Sequence, residues 1–385
     1  MPTQKLTLLE RIVSIAMACS FVLSWKLWLS SRLFPLVPVS TYLPDILSPL
    51  DVIWACTLIG LLVTIAIFPR QRMLVFGFLG FAGLLALWDQ ARWQPWFYQY
   101  FLMLAAIGHY DRQKGKVQRQ KIALNICRLI IVFTYVWSGL QKLNANFIRE
   151  AWPDLAGPFL RMISGPARRV PASLILLVPL VEVFIGLGLL GRRSRNLAVL
   201  LALATHGFIL ILLLSSGENT AVWPWNVAMS LFVLILFWQD KETSATSILK
   251  PTAALQTMVL ILVAIMPAFS FIGIWDSYLS SALYSGATYQ GVVLVSSAVI
   301  ERLPASVHPY VWQESKPFFL DINRWAYGEL NVPVYPEPRI FRKVAEQVCE
   351  YSDSSPDIKL LILDKPNLLT GQRKREYFDC RHLWP

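Results

Sequence analysis

The 385-residue chain is 55% hydrophobic and only 15% charged, with a mean hydropathy of +0.50. Soluble domains carry roughly 25% charged residues, so an apolar excess of this size excludes a single water-soluble core. The formal charge of +11 is not a nucleic-acid footprint either: residues 301–385 hold 12 basic and 12 acidic side chains, so the whole excess lies in 1–300, mostly in short loops.

Apolar runs of about the length that crosses a bilayer recur along the chain. They predict about nine spans, at roughly 10–30, 51–68, 73–89, 95–110, 122–142, 171–191, 196–216, 222–239 and 254–275. The first run has no small-residue cleavage site behind it and reads as a first transmembrane helix rather than a signal peptide. The third and fourth runs are short and separated by Asp89, Gln90 and Arg92. They hold either two crossings or one crossing and a re-entrant piece, and the side on which the C-terminus lies depends on which.

Basic residues in alternate loops divide 14 to 6. The rich side includes Lys5, Arg70, Arg112, Lys114, Lys116, Arg192 and Lys241; the poor side includes Arg32, Arg92, Arg168 and Arg169. The positive-inside rule makes the rich side cytoplasmic. The expected location is the cell membrane, N-terminus inside and C-terminal segment outside. Tryptophans near span ends, such as Trp93, Trp96 and Trp223, fit an interfacial aromatic belt. The loop 144–171 carries Phe147, Trp152, Phe159 and Leu160 and predicts a short interfacial helix over the outer mouth.

The expected fold class is therefore an all-α polytopic membrane helix bundle over 1–275, with a small α/β extramembrane segment over 276–385. In the tail, 291–300, 357–366 and 375–383 read as strands and 338–351 as a helix. A mixed sheet with one packed helix is expected. Cys349 and Cys380 lie in this tail, and form a disulfide in an oxidising compartment or stay unpaired. Cys19, Cys56 and Cys127 lie in apolar runs and read as small buried hydrophobes. Four scattered histidines give no multi-histidine metal or haem site.

Ionisable groups within spans face a bundle interior or a cavity. Lys142 closes the fifth span, one turn past Ser138, and reads either as a general base at an apolar mouth or as a snorkelling anchor. Glu182 sits mid-span and needs a partner, for which Arg128, Lys142 and His206 are candidates. A Glu182–His206 pair across a hairpin of the sixth and seventh spans is one arrangement. Arg128, two turns from the cytoplasmic helix end, reads as snorkelling. Asn226, after Trp223-Pro224-Trp225, reads as a helix cap or a cavity residue. Ser138, Gly139 and Gly186 permit close helix approach.

The segment YVWSGLQKLNANF (135–147) resembles the HTTM domain of vitamin K-dependent gamma-carboxylase and its bacterial relatives. The resemblance spans roughly 120–290 and extends to GENTAVWPWNVAMS and to SALYSG (281–286). It places Lys142 at the position of the base that activates the reduced quinone. Gln141 replaces a second lysine, and Asn144 and Asn146 replace an acidic pair. Glu182 and His206 resemble an acid and a histidine of the next two helices. The resemblance implies Lys142, Glu182 and His206 as catalytic groups and Tyr135, Gln141, Asn144, Trp225 and Asn226 around the cofactor, a reduced quinone. The tail is too short to match that family's large lumenal region, and small DoxX-like redox subunits look distantly similar.

Two functions follow. One is a membrane enzyme using a quinol-type cofactor in an outward-facing cavity. The other is a non-catalytic subunit that scaffolds a partner membrane or secreted protein or a redox complex. Both have membrane lipids as partners and neither binds nucleic acid. A transporter fits less well, because no inverted repeat or paired broken helices are visible.

Overall fold

A computed structural model describes the chain except for residues 1, 41, 44–45, 47, 111–116, 165–169, 314–317, 353–356 and 384–385. Arg112, Lys114, Lys116, Arg168 and Arg169 of the charge comparison lie outside the described residues. The apolar runs form α1 (Pro2–Leu23), α2 (Leu50–Ile67), α3 (Arg72–Trp88), α4 (Pro95–Tyr110), α5 (Val117–Lys142), α6 (Trp152–Ser164), α7 (Ala172–Leu190), α8 (Arg195–Ser216) and α9 (Trp223–Phe237). A short α10 (Ala245–Leu249) precedes α11 (Ala254–Leu260), which continues through π and 3-10 turns to Ile272. Seven of these helical stretches are long and apolar enough to cross a membrane; Arg72–Trp88 is apolar but shorter.

The first helix runs from 2 to 23, not from 10 to 30 as the hydropathy suggests. Its polar start is held in place: Thr3 Oγ1 donates to Gln120 Oε1 at 3.1 Å, and the Glu10 carboxylate accepts the Arg70 amide at 2.9 Å. The chain then leaves the helix in a 3-10 turn at Trp25–Trp28.

Helices α5 and α7 cross in close contact, and glycine makes it possible. A Cβ on Gly139 would lie 2.6 Å from the Pro179 carbonyl oxygen, and one on Gly186 would lie 2.6 Å from Val136 Cγ2. Small residues let two backbones approach where lipid supplies no hydrophobic drive. This crossing sets Lys142 beside Glu182.

The tail is a five-stranded sheet in the order β2-β3-β1-β4-β5, from β1 (Gln290–Val295), β2 (Val311–Trp312), β3 (Phe318–Asp321), β4 (Ile358–Leu363) and β5 (Arg375–Asp379). Every pairing in it is antiparallel, which corrects the expected mixed sheet. The expected strand 291–300 ends at Val295, and Ser297–Arg302 forms α12. The expected strand 375–383 likewise ends at Asp379, before α15 (Cys380–Leu383). Besides α14 (Pro338–Cys349) a second helix, α13 (Ile322–Leu330), packs on the sheet. Alternate residues of β1 and β4 point inward, and Val293, Leu360 and Ile362 meet Ile340, Phe341 and Val344 of α14 in the core. A disulfide joins Cys349 to Cys380. Cys19 and Cys56 are exposed, contrary to their reading as buried hydrophobes, while Cys127 is buried.

The tail docks on the end of the bundle where α1 and α5 finish and α9 begins. Asn331 Nδ2 donates to the Leu23 carbonyl at 2.8 Å, the Thr220 amide donates to Asn331 Oδ1 at 3.1 Å, and the Ala145 amide donates to the Leu368 carbonyl at 2.8 Å. The turns bearing Arg70, Arg192, Arg193 and Lys241 lie at the opposite end, with Lys5. There Arg128 is not a snorkelling side chain. It is buried, its guanidinium pairs with Asp240 at 2.7 Å, and it donates to the Leu236 carbonyl at 3.1 Å.

Candidate functional site

Helix α5 presents Tyr135, Ser138 and Lys142 at spacings of three and four residues, hence on one stripe. That stripe faces a cavity of about 70 Å³ bounded also by Glu182 of α7, His206 of α8, and Trp225 and Asn226 of α9. Lys142, Glu182, His206, Asn226 and Tyr135 are all buried. Three sequence-designated catalytic groups and three of the five designated cofactor residues therefore meet in one place.

Lys142 Nζ lies 2.8 Å from Glu182 Oε2, 2.5 Å from Ser138 Oγ and 3.3 Å from the Ser138 carbonyl oxygen. All three donors of an ammonium have acceptors, so Lys142 is a partnered group of the interior and not an anchor reaching for the interface. Glu182 takes Lys142 as its partner, not Arg128 and not His206.

His206 belongs to a second chain of hydrogen bonds. Its Nε2 is 2.6 Å from the Tyr135 hydroxyl and its Nδ1 is 2.8 Å from Asn226 Oδ1. Asn226 Nδ2 in turn donates to the Val222 carbonyl at 2.9 Å. Asn226 is therefore not a helix cap; its amide is fixed by the turn before it and orients the imidazole.

Gln141 and Asn144 face elsewhere. Gln141 Nε2 donates to Ser270 Oγ at 2.6 Å, on the far side of α5. Asn144 donates to the Gln141 and Ser285 carbonyls, each at 2.8 Å, and accepts the Phe147 amide at 2.9 Å. It shapes the exit from α5 and leaves the cavity wall to others. The loop beyond it forms α6, as expected for 144–171, and packs on α8 with Trp152 stacked against Phe208 at 6.3 Å.

A larger cavity of about 300 Å³ adjoins the polar one, sharing Pro95, Thr134, Trp225 and Ser281 with it. Trp93, Phe97, Tyr98, Phe101, Trp225 and Trp275 supply its aromatic walls. Among the described residues, the Trp275 indole N–H is buried without an acceptor. Among the described residues, the acceptors of Gln99 Nε2 are two thioether sulfurs, Met229 Sδ at 3.1 Å and Met103 Sδ at 4.0 Å, which are weak acceptors. Leu87, which is 42% exposed, and Leu262 bring this chamber to the outer surface of the bundle. The α4 residues of this wall were not among the expected site residues. The aromatic run PWFYQYF (95–101), with a single glutamine inside it, is the signal that marks them. Ser281 and Tyr284, in the wall formed by SALYSG, hold left-handed backbone at φ 58° and 55°, a conformation unusual outside glycine.

No family model, no curated protein and no solved structure matches the chain.

Proposed function

We propose that the chain is a membrane enzyme that admits a reduced, lipid-soluble ring of the quinol class to the aromatic chamber and removes a proton from it in the adjoining polar chamber. The observation that carries this is the wall that the two chambers share at Pro95, Thr134, Trp225 and Ser281, with ring faces on one side and the Lys142–Glu182 pair on the other. Ligand sites are mostly apolar concavities with a few converging polar groups, from about 300 Å³ upward. The larger chamber is of that size and the polar one, at about 70 Å³, is too small for a ring. Trp275 and Gln99 offer N–H groups that lack an oxygen acceptor, which suits a ring bearing oxygens. The likeness of YVWSGLQKLNANF to the HTTM domain supports the same reading.

Such a ring, when bound, supplies an acidic hydroxyl and an electron-rich aromatic system. The chain's own groups handle the proton. Lys142 passes a proton to Glu182 along their 2.8 Å contact and becomes an amine. The amine takes the hydroxyl proton, and Ser138 Oγ and O stabilise the ammonium that forms. Wall side chains from α4, α9 and the 275–284 segment exclude water from the exchange. The described basic turns lie away from the tail, which by the positive-inside rule supports a cytoplasmic N-terminus with the tail and site toward the outside of the cell membrane.

Binding is tested by quenching of tryptophan fluorescence with a bromine-substituted single-ring quinone bearing an alkyl chain. The purified protein should be quenched saturably. A Gly83→Phe variant should lose that saturation: Gly83 lines the chamber, and a Cβ there meets Phe101 only at ordinary contact, 3.7 Å. Equal quenching of both proteins, or no saturation in either, rejects the reading.

A further inference from the structure

Tyr135 has a hydrogen bond that needs a direction. Asn226 Nδ2 is committed to the Val222 carbonyl, so the amide presents its oxygen to His206 Nδ1. An oxygen of that kind only accepts, so Nδ1 carries the proton. The described residues place no carboxylate against His206, since Glu182 is engaged by Lys142. A buried imidazolium would stand without a counter-charge, which is costly, so the ring is neutral. In a neutral ring with Nδ1–H, Nε2 is an acceptor. The hydroxyl of Tyr135 therefore donates to it across 2.6 Å. Its proton is committed to the imidazole, so what Tyr135 offers a ligand in the cavity that both residues line is the accepting oxygen.

From this geometry we infer that Tyr135 and His206 form a second proton acceptor in the cavity, poised by Asn226. The inference rests on the proposed function and deepens it. The step balances. A ring hydroxyl gives its proton to the Tyr135 oxygen while the original Tyr135 proton moves to His206 Nε2. One O–H bond breaks on the ligand and one forms on Tyr135; the old tyrosine O–H breaks and an N–H forms. The ligand is left as an oxyanion and His206 as an imidazolium whose Nδ1–H still rests on Asn226. No electron is transferred and no other reactant is required. The cavity then holds two separate acceptors, the Lys142–Glu182 pair and the Tyr135–His206 pair. Asn226 is a positioning residue: it touches neither ligand nor moving proton, but it selects the tautomer that lets Nε2 accept.

The test is nitrogen-15 NMR of histidine-labelled full-length protein in lipid nanodiscs, with His206→Gln identifying the signal among the chain's four histidines. Without ligand, His206 should show a protonated Nδ1 and a bare Nε2. Asn226→Leu should reverse the tautomer, and Asn226→Ser, which keeps an oxygen, should restore it in part. An alkyl-chained dihydroxynitrobenzene, whose ionisation is visible by its colour, is then added. In the wild type His206 should gain a second proton as the probe ionises. Tyr135→Phe, which keeps the ring in the wall, should leave His206 with its single proton when the probe is bound. A bare Nδ1 in the unliganded protein overturns the relay, as does an ionised probe with His206 unchanged in the wild type; both leave the Lys142 reading intact. A probe that binds and never ionises defeats the proposed function, and the relay with it.

Discussion

At the scale of single residues, the site is governed by the cost of burying charge. Lys142 and Glu182 are tolerable together because each satisfies the other at 2.8 Å. Removing one partner of a buried pair typically costs about 3–5 kcal/mol, because it strands the other. Lys142→Met and Glu182→Leu should therefore each destabilise the bundle strongly, and the double variant should be more stable than either single one. Reversible unfolding in detergent mixtures measures this; additive losses in the double variant contradict the pairing. Lys142→Met and Glu182→Leu alone do not separate a structural pair from a proton acceptor, and only a proton-transfer readout does so. Asn226 shows how far residue chemistry was legible. Its place after Trp-Pro-Trp at a helix start allowed a cap or a wall residue. Its selection of a histidine tautomer depends on a side chain 20 positions earlier, which no local spacing reveals.

At the scale of elements, two glycines and one disulfide do most of the positioning. A Cβ on Gly139 or Gly186 would overlap backbone of the facing helix, and overpacking typically costs about 1–3 kcal/mol. Gly186→Leu should push α5 from α7, lower thermal stability by about that amount, and separate Lys142 from Glu182. Unchanged stability and binding in that variant would show the crossing to be looser than described. The Cys349–Cys380 bridge spans 31 residues, and a loop of that length gives about 3–4 kcal/mol in the chain-entropy view. Cys349→Ser with Cys380→Ser should loosen α15 and β5 first, as hydrogen exchange would record. The helices of the body were legible because apolar runs near bilayer length have few alternative readings. The tail was less so. Its two-residue β2 and four-residue β3 are too short for a period, and 291–300 changes from strand to helix at Ser296 and Ser297, within one β-branched run. The α4 chamber wall was missed because aromatic density in a short span reads first as an interfacial belt.

At the scale of the whole molecule, tail and bundle meet at a polar junction that should respond to pH. Glu337 accepts the Ser277 amide at 2.8 Å, and burial holds its carboxyl above the ordinary glutamate range. The folded chain thus keeps this proton more tightly than the unfolded one. Its contribution to docking is greatest in acid and falls as pH rises from about 4.5 through the folded value. Lys365, which donates to the Ser270 carbonyl at 2.9 Å, is shifted the other way by burial. Its effect is a gain as pH rises toward about 10.5, opposite in sign to that of Glu337, so the two slopes separate. Glu337→Gln should flatten the acid-side slope in thermal unfolding; an unchanged slope assigns it to another group. The end of the bundle that carries this junction also carries Lys142, and the claim on which everything else depends is that the proposed site takes a proton from a lipid-soluble ring. The most direct measurement is the absorbance of an alkyl-chained nitrophenol bound to the wild type and to the Lys142→Met, Tyr135→Phe double variant in nanodiscs, with binding followed separately by fluorescence quenching. The account predicts that both proteins bind the probe and that its ionised fraction falls sharply in the double variant, which lacks both proton acceptors. Equal ionisation in the two bound states would contradict it.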